Sequence, residues 1–216
     1  MRRILFKDLK VPLIFSLILL PPLLWFWSRK NTTELFPVAV FVQLSFTFIV
    51  TVLGVMLNEQ YEDVHNGYRF YQILPLKRLE VTGLKFLVPV LVLAVLGLVN
   101  RVLYTGFPVG REALRIADTI TAVFSVVVLL ICAGIFLLVT ALGYTRFIQL
   151  TSGLIALGVF AGFLAARLLK TDMVSLARFS EKLEKWLVSG DPVPFLVACL
   201  ALYTALFFMA ARMETR

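Results

Sequence analysis

Residues 58–85 read NEQYEDVHNGYRFYQILPLKRLEVTGLK, the longest polar interruption in the first half of a chain of 216 residues. Apolar runs flank it on both sides, so this is where the chain can meet water and a partner. Its order is acidic first (Glu59, Glu62, Asp63), then Asn66-Gly67, then aromatic (Tyr68, Phe70, Tyr71), then Leu74-Pro75-Leu76-Lys77-Arg78. Pro75 has no N–H and turns Leu74 away from helix, yet it suits the first turn of a helix that follows. Beyond it Leu76, Leu79, Val81, Leu84 and Phe86 form an apolar face leading into the next hydrophobic segment. The expectation is an amphipathic helix before Pro75, a corner at the proline, and a membrane helix after it.

With 60% hydrophobic residues, 16% charged residues and a mean hydropathy of +0.93, a soluble core does not account for the chain. A hydrocarbon layer about 30 Å thick needs roughly 20 apolar residues to cross. Six segments qualify: Val11 to Ser28, Leu35 to Leu57, Lys85 to Gly106, Thr119 to Leu142, Phe147 to Ala166, and Pro192 to Ala211. They lack the short alternating pattern of barrel strands. The expected fold is an all-α polytopic membrane protein, one domain over residues 1–216, with six transmembrane helices.

Lys and Arg divide eleven to ten between the two sides of such a topology, so the dense group Arg2, Arg3, Lys7 and Lys10 decides the orientation. Both termini are expected in the cytoplasm and the chain in the cell's inner (plasma) membrane. The first span, with Pro21-Pro22 and the Trp25-Phe26-Trp27 belt and no small-x-small site before Arg29-Lys30, reads as retained rather than cleaved. Residues 1–10 pair an apolar side (Ile4, Leu5, Leu9) with cations and suit the lipid surface as an amphipathic helix, or serve only as a topology-setting tail. Between residues 170 and 191, Met173, Leu176, Leu183, Trp186 and Leu187 oppose Arg178, Glu181, Lys182 and Lys185, which predicts an external amphipathic helix.

Residues with chemistry are few. There is no GxxxxGK[ST] loop, and Cys132 and Cys199 fall inside spans. His65 is a loop histidine with no nucleophile to serve. No catalytic residue, metal, bound cofactor or nucleic-acid partner is expected, and the acidic group Glu59, Glu62, Asp63 reads as a solvated loop rather than a cation site. Asn100-Arg101 at the end of the third span either lines a substrate path or lets Arg101 snorkel outward beside Tyr104. Gln149 and Thr151 give the fifth span a polar patch, read as helix packing before a ligand role.

The run Glu59 to Leu87 resembles the segment joining spans two and three in the permease subunits of type 2 ABC exporters. An acidic stretch, a Gly, an apolar run, Leu-Pro, an apolar residue, basic residues, an acid, and a Lys opening the next span follow one another there. Glu59 and Glu62, Gly67, Phe70 to Leu74, Pro75, Leu76, Lys77 and Arg78, Glu80, and Lys85 hold those places here. The basic start, the Gly143 to Arg146 turn and the helical excursion before the last span extend the resemblance weakly to the whole chain. It implies a coupling helix that docks on a separate ABC ATPase subunit through Glu62, Gly67, Tyr68, Arg69, Phe70, Tyr71, Leu74, Pro75, Lys77 and Arg78. It further implies ATP and Mg on that partner and not on this chain, a second permease copy in a homodimer, contact with membrane lipids, and export of an amphipathic peptide, lipid or drug. Competing readings are the haem exporter B family of cytochrome c maturation, against which residues 170–191 argue, a membrane enzyme acting on lipids, and a non-transporting scaffold.

Overall fold

A computed structural model describes residues 9, 10, 12–14, 36–64, 78–153 and 192–213. Among the described residues the chain is helical with short connections and no strand. Four helices are long and apolar enough to cross a membrane. We number the helices α1 (Phe36–Val64), α2 (Arg78–Thr105), α3 (Arg111–Leu142), α4 (residues 144–153) and α5 (Val193–Met213). The expected first span beyond residue 14, the fifth beyond Gly153, residues 1–8, residues 170–191, and the corner at Pro75 all lie outside the described residues.

The spans run longer than their apolar windows. At about 1.5 Å per residue, the 29 residues of α1 and the 32 of α3 reach beyond a hydrocarbon layer of about 30 Å. The helix expected to stop at Leu57 continues through Val64 and takes Asn58, Glu59 and Glu62 with it, so the acidic loop inferred there is instead a helix end. Helix α2 is present from Arg78, ahead of the apolar span drawn from Lys85 and in line with the helix expected after Pro75, with Glu80 in its first turn facing the positive end of the helix dipole. The outer loop expected over 107–118 shrinks because α3 starts at Arg111, capped by the extended Gly110 and carrying Glu112 in its first turn. In each case hydropathy marks where the lipid ends, whereas the helix continues wherever its own hydrogen bonds satisfy the backbone.

Helix α3 stops at Gly143, whose φ of 79° is open to glycine, and its N–H returns 2.8 Å to the Val139 carbonyl. Phe147 N–H then donates to the Gly143 carbonyl at 3.0 Å, so α4 begins at once and the expected tight turn over Gly143 to Arg146 is present. Helices α1, α2 and α3 alternate in direction. One end of the bundle therefore collects the end of α1, the start of α2, the end of α3, the start of α4 and the end of α5.

Three apolar clusters hold the helices. The largest joins Val55, Phe86, Val128, Cys132, Phe136, Phe147 and Ala210 from all five, with Cys132 wholly buried at its centre. Phe36, Ala39, Val40, Tyr104, Phe107 and Ala117 close the opposite end, where Phe36 meets Tyr104 and Phe107 edge-on at 5.9 and 5.6 Å. Phe46, Val50, Val88, Val92 and Leu96 seat α1 on α2, and Leu9 adds to that cluster. Gly54 lets the N-terminal segment approach closely, since a Cβ there would lie 3.0 Å from Pro12 Cγ. Between helices in lipid such contacts act through dispersion and hydrogen bonding, because tails are as apolar as leucine.

Candidate functional site

Helix α1 is apolar in composition but carries Gln43, Thr47, Thr51, Asn58, Glu59 and Glu62, all buried. They face α2. Asn100 Nδ2 donates to Thr47 Oγ1 at 3.2 Å while that hydroxyl donates onward to the Gln43 carbonyl at 2.8 Å. One turn further, Tyr104 and Thr121 hydroxyls lie 3.4 Å apart, and Thr121 donates to the Ala117 carbonyl at 2.8 Å, which leaves Tyr104 as donor to Thr121.

At the other end Lys85 Nζ lies 2.8 Å from Glu59 Oε1 and 2.7 Å from Glu62 Oε2. The first contact is also a directed hydrogen bond, and the second is an ion pair outside hydrogen-bond alignment. Residue exposures of 8% for Lys85, 3% for Glu59 and 1% for Glu62 place all three charges out of solvent. Two carboxylates one helical turn apart on α1 are thus bridged by an ammonium from the second turn of α2. Burial strengthens the attraction but makes loss of any member costly.

The neighbouring residue fixes the other side of α2. The Phe86 ring lies 5.3 Å from Phe136, 5.4 Å from Tyr203 and 5.4 Å from Phe207, and Tyr203 O–H donates to the Phe86 carbonyl at 2.6 Å. Consecutive residues therefore tie α2 to α1 on one face and to α3 and α5 on the other. Pro89, buried within α2, cannot donate to the Lys85 carbonyl four residues back. A small cavity lined by Val55, Asn58, Glu59, Glu62, Lys85, Val88 and Phe136 adjoins the cluster. Its space for the centre of a water is about 10 Å³, the scale of one molecule.

Tyr144, at the start of α4, belongs to the same end. Burial first, then the negative charges of Asp63 and Glu59, hold its phenol above the ordinary tyrosine value. Comparison with protein families, curated proteins and solved structures finds no match. The site's meaning therefore rests on its chemistry.

Of the residues singled out for docking, Glu62 is buried in the Lys85 cluster and Arg78 opens α2, while Gly67, Tyr68, Arg69, Phe70, Tyr71, Leu74, Pro75 and Lys77 lie outside the described residues. The four path candidates are not brought together. Asn100 is buried against Thr47, and Arg101 beside it is exposed, one turn from the end of α2. Gln149 is exposed and Thr151 donates within its own helix to Phe147 at 2.7 Å, both on the first turns of α4. Sequence reasoning missed the pairing of Lys85 with Glu59 and Glu62 and the stripe Gln43, Thr47, Thr51. The i,i+3 spacing of the two glutamates and the i,i+4 spacing of the three polar residues were the available signals.

Proposed function

We propose that this chain is the membrane-spanning permease subunit of an ATP-driven exporter of the type 2 ABC kind. Residues 58–85 are its cytoplasmic handle for a separate ATPase subunit. The observation that carries the reading is the Lys85 cluster. It joins the last turns of α1 to the first turns of α2, so the connection over residues 65–77 springs from two roots bound to each other. A push on such a loop moves two spans together instead of being lost as slack, as transmission from ATP closure to a substrate path requires.

The resemblance adds the kind of partner. The Lys that opens the span in the resembling segment is the residue that bridges the two acids of the preceding helix. Tyr68, Phe70 and Tyr71 supply aromatic anchors and Arg69, Lys77 and Arg78 a cationic rim, the composition of an interface centre and its edge. Arg146 and Arg212 lie at the same end of the bundle as the cluster and Arg111 and Arg115 at the other, so the orientation rests on the basic group Arg2, Arg3, Lys7 and Lys10. Two copies facing each other, with two ATPases beneath, would carry an amphipathic peptide, lipid or drug between them.

Purification from native membranes tests this. The chain should co-elute with a partner that carries a P-loop and hydrolyses ATP, and Tyr68→Ala with Arg69→Ala should release it without preventing membrane insertion. A fully inserted chain that purifies with no ATPase refutes the proposal.

A further inference from the structure

Residues Ile49–Leu53 of α1 form a π-helical turn between two α-helical lengths. Such a turn takes in the equivalent of one extra residue, and this displaces everything beyond it around the axis by about 100°. The displacement decides which face the glutamates occupy. In an uninterrupted α-helix Glu59 would sit about 120° and Glu62 about 60° around from Thr47. With the π turn these offsets fall to about 20° and 40°. The turn is therefore why one face of α1 can hold Asn100 at Thr47 and Lys85 at Glu59 and Glu62 at once.

The same turn leaves a polar group unsatisfied. Ser45 and Thr47 each donate to the carbonyl four residues back, at 2.9 and 2.8 Å. Thr51, 1% exposed within the π turn, has no hydrogen-bond partner for its hydroxyl, and neither has the buried Gln43 Oε1. A regular α-helix would return the Thr51 hydroxyl to the Thr47 carbonyl, the local pattern Ser and Thr adopt in helices. Each form of α1 thus lacks something that the other has. The π form makes the Lys85 cluster and leaves Thr51 unpaired, whereas the α form pairs Thr51 and turns the glutamates off the Lys85 face.

We propose that residues 49–53 are a rotary joint, by which the half of α1 ending at Val64 turns about 100° against a stationary half from Phe36 to Phe48 as the Lys85 cluster opens and closes. Asn100 on Thr47 and the cluster of Phe36 with Tyr104 and Phe107 hold the stationary half. The Lys85 cluster latches the moving half. The joint belongs to α1 and stands whether or not residues 65–77 dock on an ATPase.

Spin-label distances in lipid bilayers test it. Labels at the exposed positions Tyr61→Cys and Leu87→Cys report the moving half, and labels at Phe41→Cys and Leu98→Cys the stationary half. The unmodified joint gives one distance for each pair. Adding Lys85→Met splits or shifts the first pair by about 3.5 Å at the Cα, more at the label, and leaves the second pair unchanged, which also shows the fold intact. Deleting Val52 in that background makes α1 regular with the glutamate face still aligned, and returns the first pair to one distance. A single unshifted distance in Lys85→Met, equal movement of both pairs, or two populations surviving the deletion overturns the proposal. Amide exchange on the chain with Lys85 intact decides it independently. Val52 to Val55 should exchange at least tenfold faster than Gln43 to Thr47, and equal protection also overturns it.

Discussion

Replacing Lys85 by Met keeps the length of the side chain and removes its charge. Glu59 and Glu62, at 3% and 1% exposure, then lose the ammonium 2.8 and 2.7 Å away, whether they stay on that face or α1 turns them off it. Stripping one member from a buried ion pair costs about 3–5 kcal/mol, because the surviving charge is left in a poor solvent. That is roughly two to four powers of ten in the equilibrium between folded and unfolded chain. Unfolding in mixed micelles of rising SDS fraction, followed by far-ultraviolet circular dichroism, measures the loss. The decisive variant carries Lys85→Met with Glu59→Gln and Glu62→Gln. It removes the stranded charges and should recover all but about 1 kcal/mol, since a buried pair is worth little net against neutral groups of similar size. If Lys85→Met costs less than about 1 kcal/mol, or the losses of the three substitutions simply add, the cluster is not what joins α1 to α2.

Other sites give sharper local tests. Tyr203→Phe keeps the ring among Phe86 and Phe207 and deletes only the 2.6 Å hydrogen bond to the Phe86 carbonyl, so about 0.5–1.5 kcal/mol should be lost in the same titration. Gly143→Ala meets no atom within 4 Å but must adopt a φ of 79°, so its cost, about 1–3 kcal/mol, reports the backbone alone, and a neutral result would place the turn in another conformation. Tyr144 should titrate above an ordinary tyrosine in ultraviolet absorbance, and Asp63→Asn should lower it. Because that phenol is raised in the folded chain, its contribution to stability is complete below the unfolded tyrosine value and disappears as pH rises through the folded one.

The long apolar helices were legible because burial in lipid demands such runs, and the expected windows Leu35 to Leu57, from Phe36 on, and Thr119 to Leu142 lie inside the helices observed. Their ends were not, because Asn58 to Val64 and Arg111 to Asp118 are polar yet continue helices that lipid composition does not govern. The Glu59, Glu62 and Lys85 cluster stayed hidden for a different reason. Its members are separated by the whole connection between two helices, and charged residues near a span end look the same whether solvated or paired. The π turn was invisible altogether, since IVTVL is as apolar and β-branched as any α-helical span segment. Only the rotation it produces, which places Glu59 beneath Thr47, reveals it.

Cys132 is fully enclosed by α3's neighbours and Cys199 is 8% exposed on α5. Thiol reagents act on accessible thiolates, so neither native cysteine competes for a polar maleimide applied from water. The chain is thus a ready background for site-directed labelling. A cysteine placed at residue 68, 101 or 180 would carry nearly all the signal, and the sidedness of the bundle can be mapped without first removing native side chains from its core.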